Sequence, residues 1–222
     1  MPIKVYTISG APRPWRVLLG LTFKGLDFET VLLRASEKEH KSDQFLAVNP
    51  RGKVPVVTDG QVILRDSIAS LAWLDQAYPD KPLFGRTSVQ AATIWQRTEE
   101  IAEYLRAAVN GVLTPIFFQN ATETTPELIE AVARLRSELA FVESELGDEL
   151  FLGGQSASAA DAVAFPEIRL LQRAKDTKPK IMSQLGLLTL YRDYPRVNAW
   201  VERVEAMPGY DRTEPPHWAE AA

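Results

Sequence analysis

The stretch from Asn49 to Asp75 leaves the chain few choices of fold, because it spells strand, turn, strand and helix with almost no slack. Val54-Pro55-Val56-Val57 reads as a loop running into a strand. Proline has no N–H to give a ladder, so Pro55 belongs at the strand's start or on its edge. A cis bond is open to the Val54-Pro55 pair at a cost of roughly 0.5–1 kcal/mol. A cis turn there would present the N–H and C=O of Val54 to the backbone of a ligand. Asp59-Gly60 reads as a two-residue hairpin turn and Val62-Ile63-Leu64 as the returning strand. Ser67 then reads as the N-cap of an apolar-periodic helix carrying Ile68, Leu71, Ala72 and Leu74. Free N–H groups and the positive end of that helix dipole favour a carboxylate.

Upstream, Ile3 to Ile8 alternates like a short strand, and Pro12 to Lys24 carries Trp15, Val17, Leu18 and Leu21 at helical spacing before Gly25 closes it. Phe28 to Leu33 reads as a strand and Lys41 to Val48 as a short irregular helix. Residues 1–78 therefore read βαβαββα, with a helical crossover joining a parallel pair. Tyr78 to Gly85 holds two prolines and a glycine, the make-up of a linker, placed at 79–87. Residues 88–222 read as helices alone. A long helix from Val89 to Phe118, bent or ended by Pro115, pairs with one striped by Leu128, Val132, Leu135, Leu139, Val142 and Leu146. Ser158-Ala159-Ala160-Asp161 has the form of a capping box, with aspartate for glutamate, opening a helix to about Arg173.

Taken together, Val54-Pro55, Asp66-Ser67 and Ser158-x-x-Asp161, in this order and separation, resemble the cytosolic glutathione S-transferase family over Ile3 to about Met207. The resemblance implies a fold of α/β plus all-α type: a thioredoxin-like βαβαββα domain that binds glutathione, followed by an all-helical domain that binds a second substrate. It implies a transferase with glutathione as co-substrate, a small electrophilic and partly apolar second substrate, a homodimer and a part in detoxification. By that resemblance Lys41 and Lys53 stand toward the glycine carboxylate of glutathione, although each also reads as a solvated surface lysine. Val54, before Pro55, pairs with the cysteinyl backbone. Asp66 faces the γ-glutamyl ammonium, and the hydroxyl and N–H of Ser67 face its carboxylate.

The loop after the first strand departs from the family pattern. Members with the same Trp-Arg place a serine or cysteine four residues before the tryptophan and next to a proline; here that position is Ala11, before Pro12. Alanine cannot donate to a thiolate. Lowering a thiol from about 8.5 by one to two units needs roughly 1.4–2.7 kcal/mol of preference for the thiolate. Three substitutes stand nearby: Ser9 in the Ser9-Gly10-Ala11-Pro12 loop, Arg13 in the helix's first turn, and Tyr6 in the first strand. Arg16 shares that turn and reads better as a salt-bridge partner. Backbone N–H groups at the helix start add to any of these. Ala11 and Pro12, with Tyr104, Phe117 and Phe118 from the first helical hairpin, are candidates for lining the second-substrate site, the aromatics reading equally as core. Ala11 also supports an alternative, a non-catalytic member that binds glutathione or docks another protein.

The chain has no cysteine, which removes disulfides, thiolate zinc sites and any protein thiol nucleophile, including that of the family's cysteine branches. His40 and His217 are too isolated to suggest a metal site, and none is expected. A net charge of −4 without a basic block points away from nucleic acid. No apolar run approaches the roughly 18 residues of a membrane span, and Met1 to Tyr6 lacks the regions of a signal peptide. A cytoplasmic protein is the expectation. Thr213 to Ala222 reads as a tail, packed loosely or covering the cleft.

Overall fold

The computed structural model describes residues 2–219. In its first part β1 (Ile3–Thr7), α1 (Pro12–Lys24) and β2 (Phe28–Leu32) form a βαβ unit with β1 and β2 parallel. A 3₁₀ turn (Glu39–Lys41) and α2 (Asp43–Val48) lead to β3 (Val56–Thr58), β4 (Ile63–Leu64) and α3 (Ser67–Ala77). The sheet order is β2-β1-β3-β4, with β3 antiparallel to both its neighbours. This is the expected βαβαββα order, with one correction: the hairpin between β3 and β4 spans residues 59–62, not two residues. Thr58 pairs with Ile63, and the Asp59 carboxylate accepts from the N–H groups of Gln61 and Val62, building a wider turn around itself.

Helix α1 keeps the predicted limits. Pro12 and Pro14 sit in its first turn, where a missing N–H costs little, and Gly25 ends it at φ 68° with its N–H on the last-turn carbonyls. Almost all of α1 is buried, because β1, α3 and the chain's C-terminal 3₁₀ turn (Tyr210–Thr213) all pack on it. Gly20 is what permits the approach of α3: a Cβ there would fall 2.3 Å from a methyl of Leu71.

The remaining helices are α4 (Ser88–Glu100), α5 (Arg106–Phe118), α6 (Pro126–Leu146), α7 (Ala159–Thr177), α8 (Pro179–Gln184), α9 (Leu190–Asp193), α10 (Pro195–Glu205) and α11 (Pro216–Ala219). Helices α4 and α5 run on through a π-helical turn, Ile101–Leu105. The break in the long helix therefore falls at residue 101, and Pro115 lies inside α5 without ending it. The predicted stripe on α6 is buried throughout, against α5. At the start of α7 the capping box is complete, and Asp161 does more than cap. Its buried carboxylate accepts from the N–H groups of Leu152, Gly153 and Ser158, the Ser158 hydroxyl and the Trp200 indole.

By contacts the chain divides into two units, Met1–Ala91 with Glu205–Ala222, and Ala92–Val204. The C-terminal segment clusters with the first unit, not with the helices that precede it.

Candidate functional site

The sheet registers decide which residues share one edge of the first unit. Tyr6 pairs with Val56 and Val57 with Leu64, and β3 runs opposite to β1 and β4. The chain leaving β1 toward Ser9, the chain arriving at β3 through Val54-Pro55, and the chain leaving β4 toward Asp66 therefore emerge at one end of the sheet. β2 ends there too, with the N–H of Leu33 on the carbonyl of Thr7 at 2.8 Å. The Ser9 loop, Val54 and Asp66 are thus brought to one end of the sheet by strand direction.

Each of the three arrivals has its own local cause. Asn49 is fully buried and organises the loop before β3: its Nδ2 donates to the carbonyl of Lys53 at 2.6 Å, and its Oδ1 accepts from the N–H of Arg51 at 3.1 Å. Gly52 allows the loop to close, since a Cβ there would lie 2.7 Å from both the carbonyl of His40 and Lys41 Nζ. Lys41 reaches the carbonyl of Arg51 at 3.3 Å, so it borders this loop, and Lys53 is exposed on it. The Val54-Pro55 bond is cis.

At α3 the sequence names the wrong cap. Asp66, not Ser67, is the N-cap: it is extended (φ −135°, ψ 142°), and Oδ1 accepts from the N–H groups of Ile68 and Ala69 at 2.9 and 3.0 Å. Two of the first-turn donors expected to face a ligand are therefore taken by the cap. Ser67 is the first helical residue and is buried. Arg65 braces the approach by donating to the carbonyl of Val48 at 2.9 Å.

In the loop between β1 and α1 the candidates separate. Ala11 is the N-cap of α1, without a side-chain bond. Of residues 11–14 only Ala11 and Arg13 carry an N–H, because 12 and 14 are prolines, and that of Ala11 is on the carbonyl of Ile8 at 2.9 Å. The backbone donors expected at this helix start are correspondingly few. Arg13 is exposed. The Tyr6 ring meets Phe45 of α2 at a tilt of 55°, ring centres 5.7 Å apart. Arg16 is buried. Ser9 is half-buried and borders a hollow of about 80 Å³ that it shares with Gly10, Ala11, Trp15, Arg212 and Pro215. Its Oγ lies 2.5 Å from Nδ1 of His217.

His217 is the residue that sequence reasoning missed. The pattern of Pro215-Pro216 and small residues reads as a tail, yet its His217-Trp218 pair stands out as two large side chains among prolines and alanines. Residues 220–222 of that tail lie outside the described residues.

In the second unit, Tyr104 sits on the π-helical turn and is 56% exposed, whereas Phe118 ends α5 at 81% exposed, with Phe117 half-buried beside it. Some 14 residues of helix at about 1.5 Å each hold Tyr104 and Phe118 roughly 20 Å apart.

Two family models match the chain: "Glutathione S-transferase, N-terminal domain" over residues 1–76 and "Glutathione S-transferase, C-terminal domain" over residues 96–203. Among curated relatives, the glutathione S-transferase theta-1 of Bos taurus is 32% identical over 83% of this chain and 74% of its own length. A glutathione S-transferase of Hyoscyamus muticus is 27% identical over 96% of this chain and 97% of its own. Among solved structures, a glutathione S-transferase from the Antarctic clam Laternula elliptica superposes with a TM-score of 0.81 at 30% identity, covering 99% of this chain and 95% of that one.

Proposed function

The chain belongs to the glutathione S-transferase family, and from that premise we propose that it ionises bound glutathione beside Ser9 and directs the thiolate at an electrophilic centre of a small, partly apolar molecule. The observation that carries this reading is the shared sheet end, where strand direction gathers the Ser9 loop, Val54 and Asp66. A tripeptide laid across that end meets Val54 for backbone pairing at its cysteinyl residue and Asp66 for the γ-glutamyl ammonium. The N–H and hydroxyl of Ser67 serve the γ-glutamyl carboxylate, and Lys41 and Lys53 the glycine carboxylate. The sulfur then falls toward the β1–α1 loop. Ser9 is the donor there: it stands in the loop that the sulfur faces, whereas Ala11 has no hydroxyl and Arg13 is exposed to solvent, where its charge is screened. One charge-assisted O–H···S⁻ bond in a partly desolvated loop supplies stabilisation of the size the thiol needs. Ala11 and Pro12 form the near wall for the second substrate.

Family membership favours the transferase over a non-catalytic glutathione-binding module. The protein works as a homodimer, in the cytoplasm and in detoxification of electrophiles, as the family does. Light scattering at micromolar concentration should give twice the 24.8 kDa of one chain; a monomer mass would refute the dimer.

The site is tested by titrating the thiol of bound glutathione through its ultraviolet thiolate absorbance. In the wild type it ionises well below the free value of about 8.5. Ser9→Ala should raise it by about one unit and lower kcat/KM about tenfold at pH 6.5, while Arg13→Ala and Tyr6→Phe leave it in place. If Arg13→Ala moves the titration and Ser9→Ala does not, the donor is the guanidinium. A bound thiol with the same pKa as free glutathione would leave binding without activation.

A further inference from the structure

We propose that His217 is the positioning residue for Ser9, an inference that rests on Ser9 as the thiolate donor. The Ser9 hydroxyl has one proton. If Nδ1 of His217 were the acceptor, that proton would be spent on the imidazole and none would remain for sulfur. With the hydrogen on Nδ1, or with the ring protonated, the ring N–H donates to Ser9 Oγ across the 2.5 Å contact, and the Ser9 proton turns to the thiolate. Donation into Oγ also polarises the hydroxyl and makes it the better donor. As the thiolate forms, the thiol proton leaves to solvent, and Ser9 and His217 each keep their own.

The contact is built by the segment leading to it. Trp15 donates its indole N–H to the buried Thr213 hydroxyl at 3.1 Å and meets Trp218 edge to face, ring centres 5.2 Å apart. Arg212 is pinned to the Asp27 carboxylate at 3.1 Å and the carbonyl of Phe28 at 3.0 Å, and lies over the Phe28 ring. Position 10 is also shaped to His217. Gly10 has φ 79°, and a Cβ there would stand 3.0 Å from Cε1 of the imidazole. The loop that carries the donor and the tail that carries the histidine are thus fitted to each other. The charged groups sharing the hollow with Ser9 are Arg212, held as above, and Glu214, which accepts from the Tyr210 hydroxyl at 3.2 Å.

The test is the same thiol titration on the full chain, with His217→Ala, His217→Asn, Ser9→Ala and the Ser9→Ala/His217→Ala double variant. His217→Ala should raise the bound-thiol pKa by about half to one unit and lower kcat/KM about three- to tenfold at pH 6.5, with KM for glutathione moving less than about twofold. Asparagine places an N–H near the position of Nδ1, so His217→Asn should recover most of both losses. In the Ser9→Ala background His217→Ala should change nothing further. A pKa unmoved by His217→Ala, an equal loss in the Ser9→Ala background, or a gain of activity, which would make the tail a lid, each overturns the proposal. If Ser9→Ala itself leaves the thiol pKa unchanged, it is the reading of Ser9 that fails; if Ser9→Ala raises it and His217→Ala does not, only the role of His217 fails.

Discussion

Asp66 does two things that substitution can separate. Its Oδ1 caps α3 through two backbone N–H groups, and in the proposed site its charge faces the γ-glutamyl ammonium. Asparagine caps as well as aspartate, so Asp66→Asn should leave the denaturant midpoint nearly unchanged while raising KM for glutathione several-fold. Asp66→Ala should add a stability loss of about 1 kcal/mol. Equal KM values for wild type and Asp66→Asn would remove the ammonium contact from the site. This pair also marks the limit of reading a cap from sequence. Aspartate and serine rank alike as caps, and what decides between Asp66 and Ser67 is that the backbone is still extended at Asp66. Asn49 shows the same limit from the other side. A lone asparagine ahead of a proline reads as loop chemistry, and only its complete burial reveals that it organises the backbone on both sides of Gly52.

At the scale of elements, the local signals were the legible ones. The Ser158-x-x-Asp161 box is a bond pattern within one turn, and the α6 stripe is a periodicity within one helix, so both are written in adjacent residues. The π-helical turn at Ile101–Leu105 was not legible, because one extra residue per turn barely disturbs an apolar pattern that already drifts against 3.6. Nor was the second use of Asp161, whose indole partner Trp200 stands 39 residues away. Burial pushes the Asp161 carboxyl above the ordinary range, and its surrounding donors pull it back. Removing it leaves those donors buried without an acceptor, so Asp161→Ala should cost about 3 kcal/mol or more. Asp161→Asn should cost less, since its Oδ1 still accepts from Leu152 and Trp200. Denaturation midpoints check this order. A loss below about 0.5 kcal/mol for Asp161→Ala, the range of ordinary surface changes, would show that the neighbours find other partners.

At the scale of the molecule, the first unit is closed by both ends of the chain. Reading in order, the sequence assigns everything after residue 88 to the helical half, because nothing local in Tyr210–Thr213 says that it packs on a helix some 200 residues earlier. The consequence is a two-step truncation. A chain ending at Pro216 loses His217 and Trp218 but keeps buried Tyr210 and Thr213 and the Arg212 contacts. A chain ending at Pro208 loses all of them. Fully burying a large apolar side chain is worth about 1.5–3 kcal/mol, and the indole-to-Thr213 bond adds about 1 kcal/mol. The longer truncation should therefore lower the stability of the first unit by about 3 kcal/mol or more and shift the buried Trp15 emission to the red. The shorter one should alter the thiol titration with little change in midpoint. If the chain ending at Pro208 unfolds at the same denaturant concentration as the full chain, the fold does not need the C-terminal segment. If both truncations lower the midpoint equally, Trp218 on Trp15 is the contact that holds the closure.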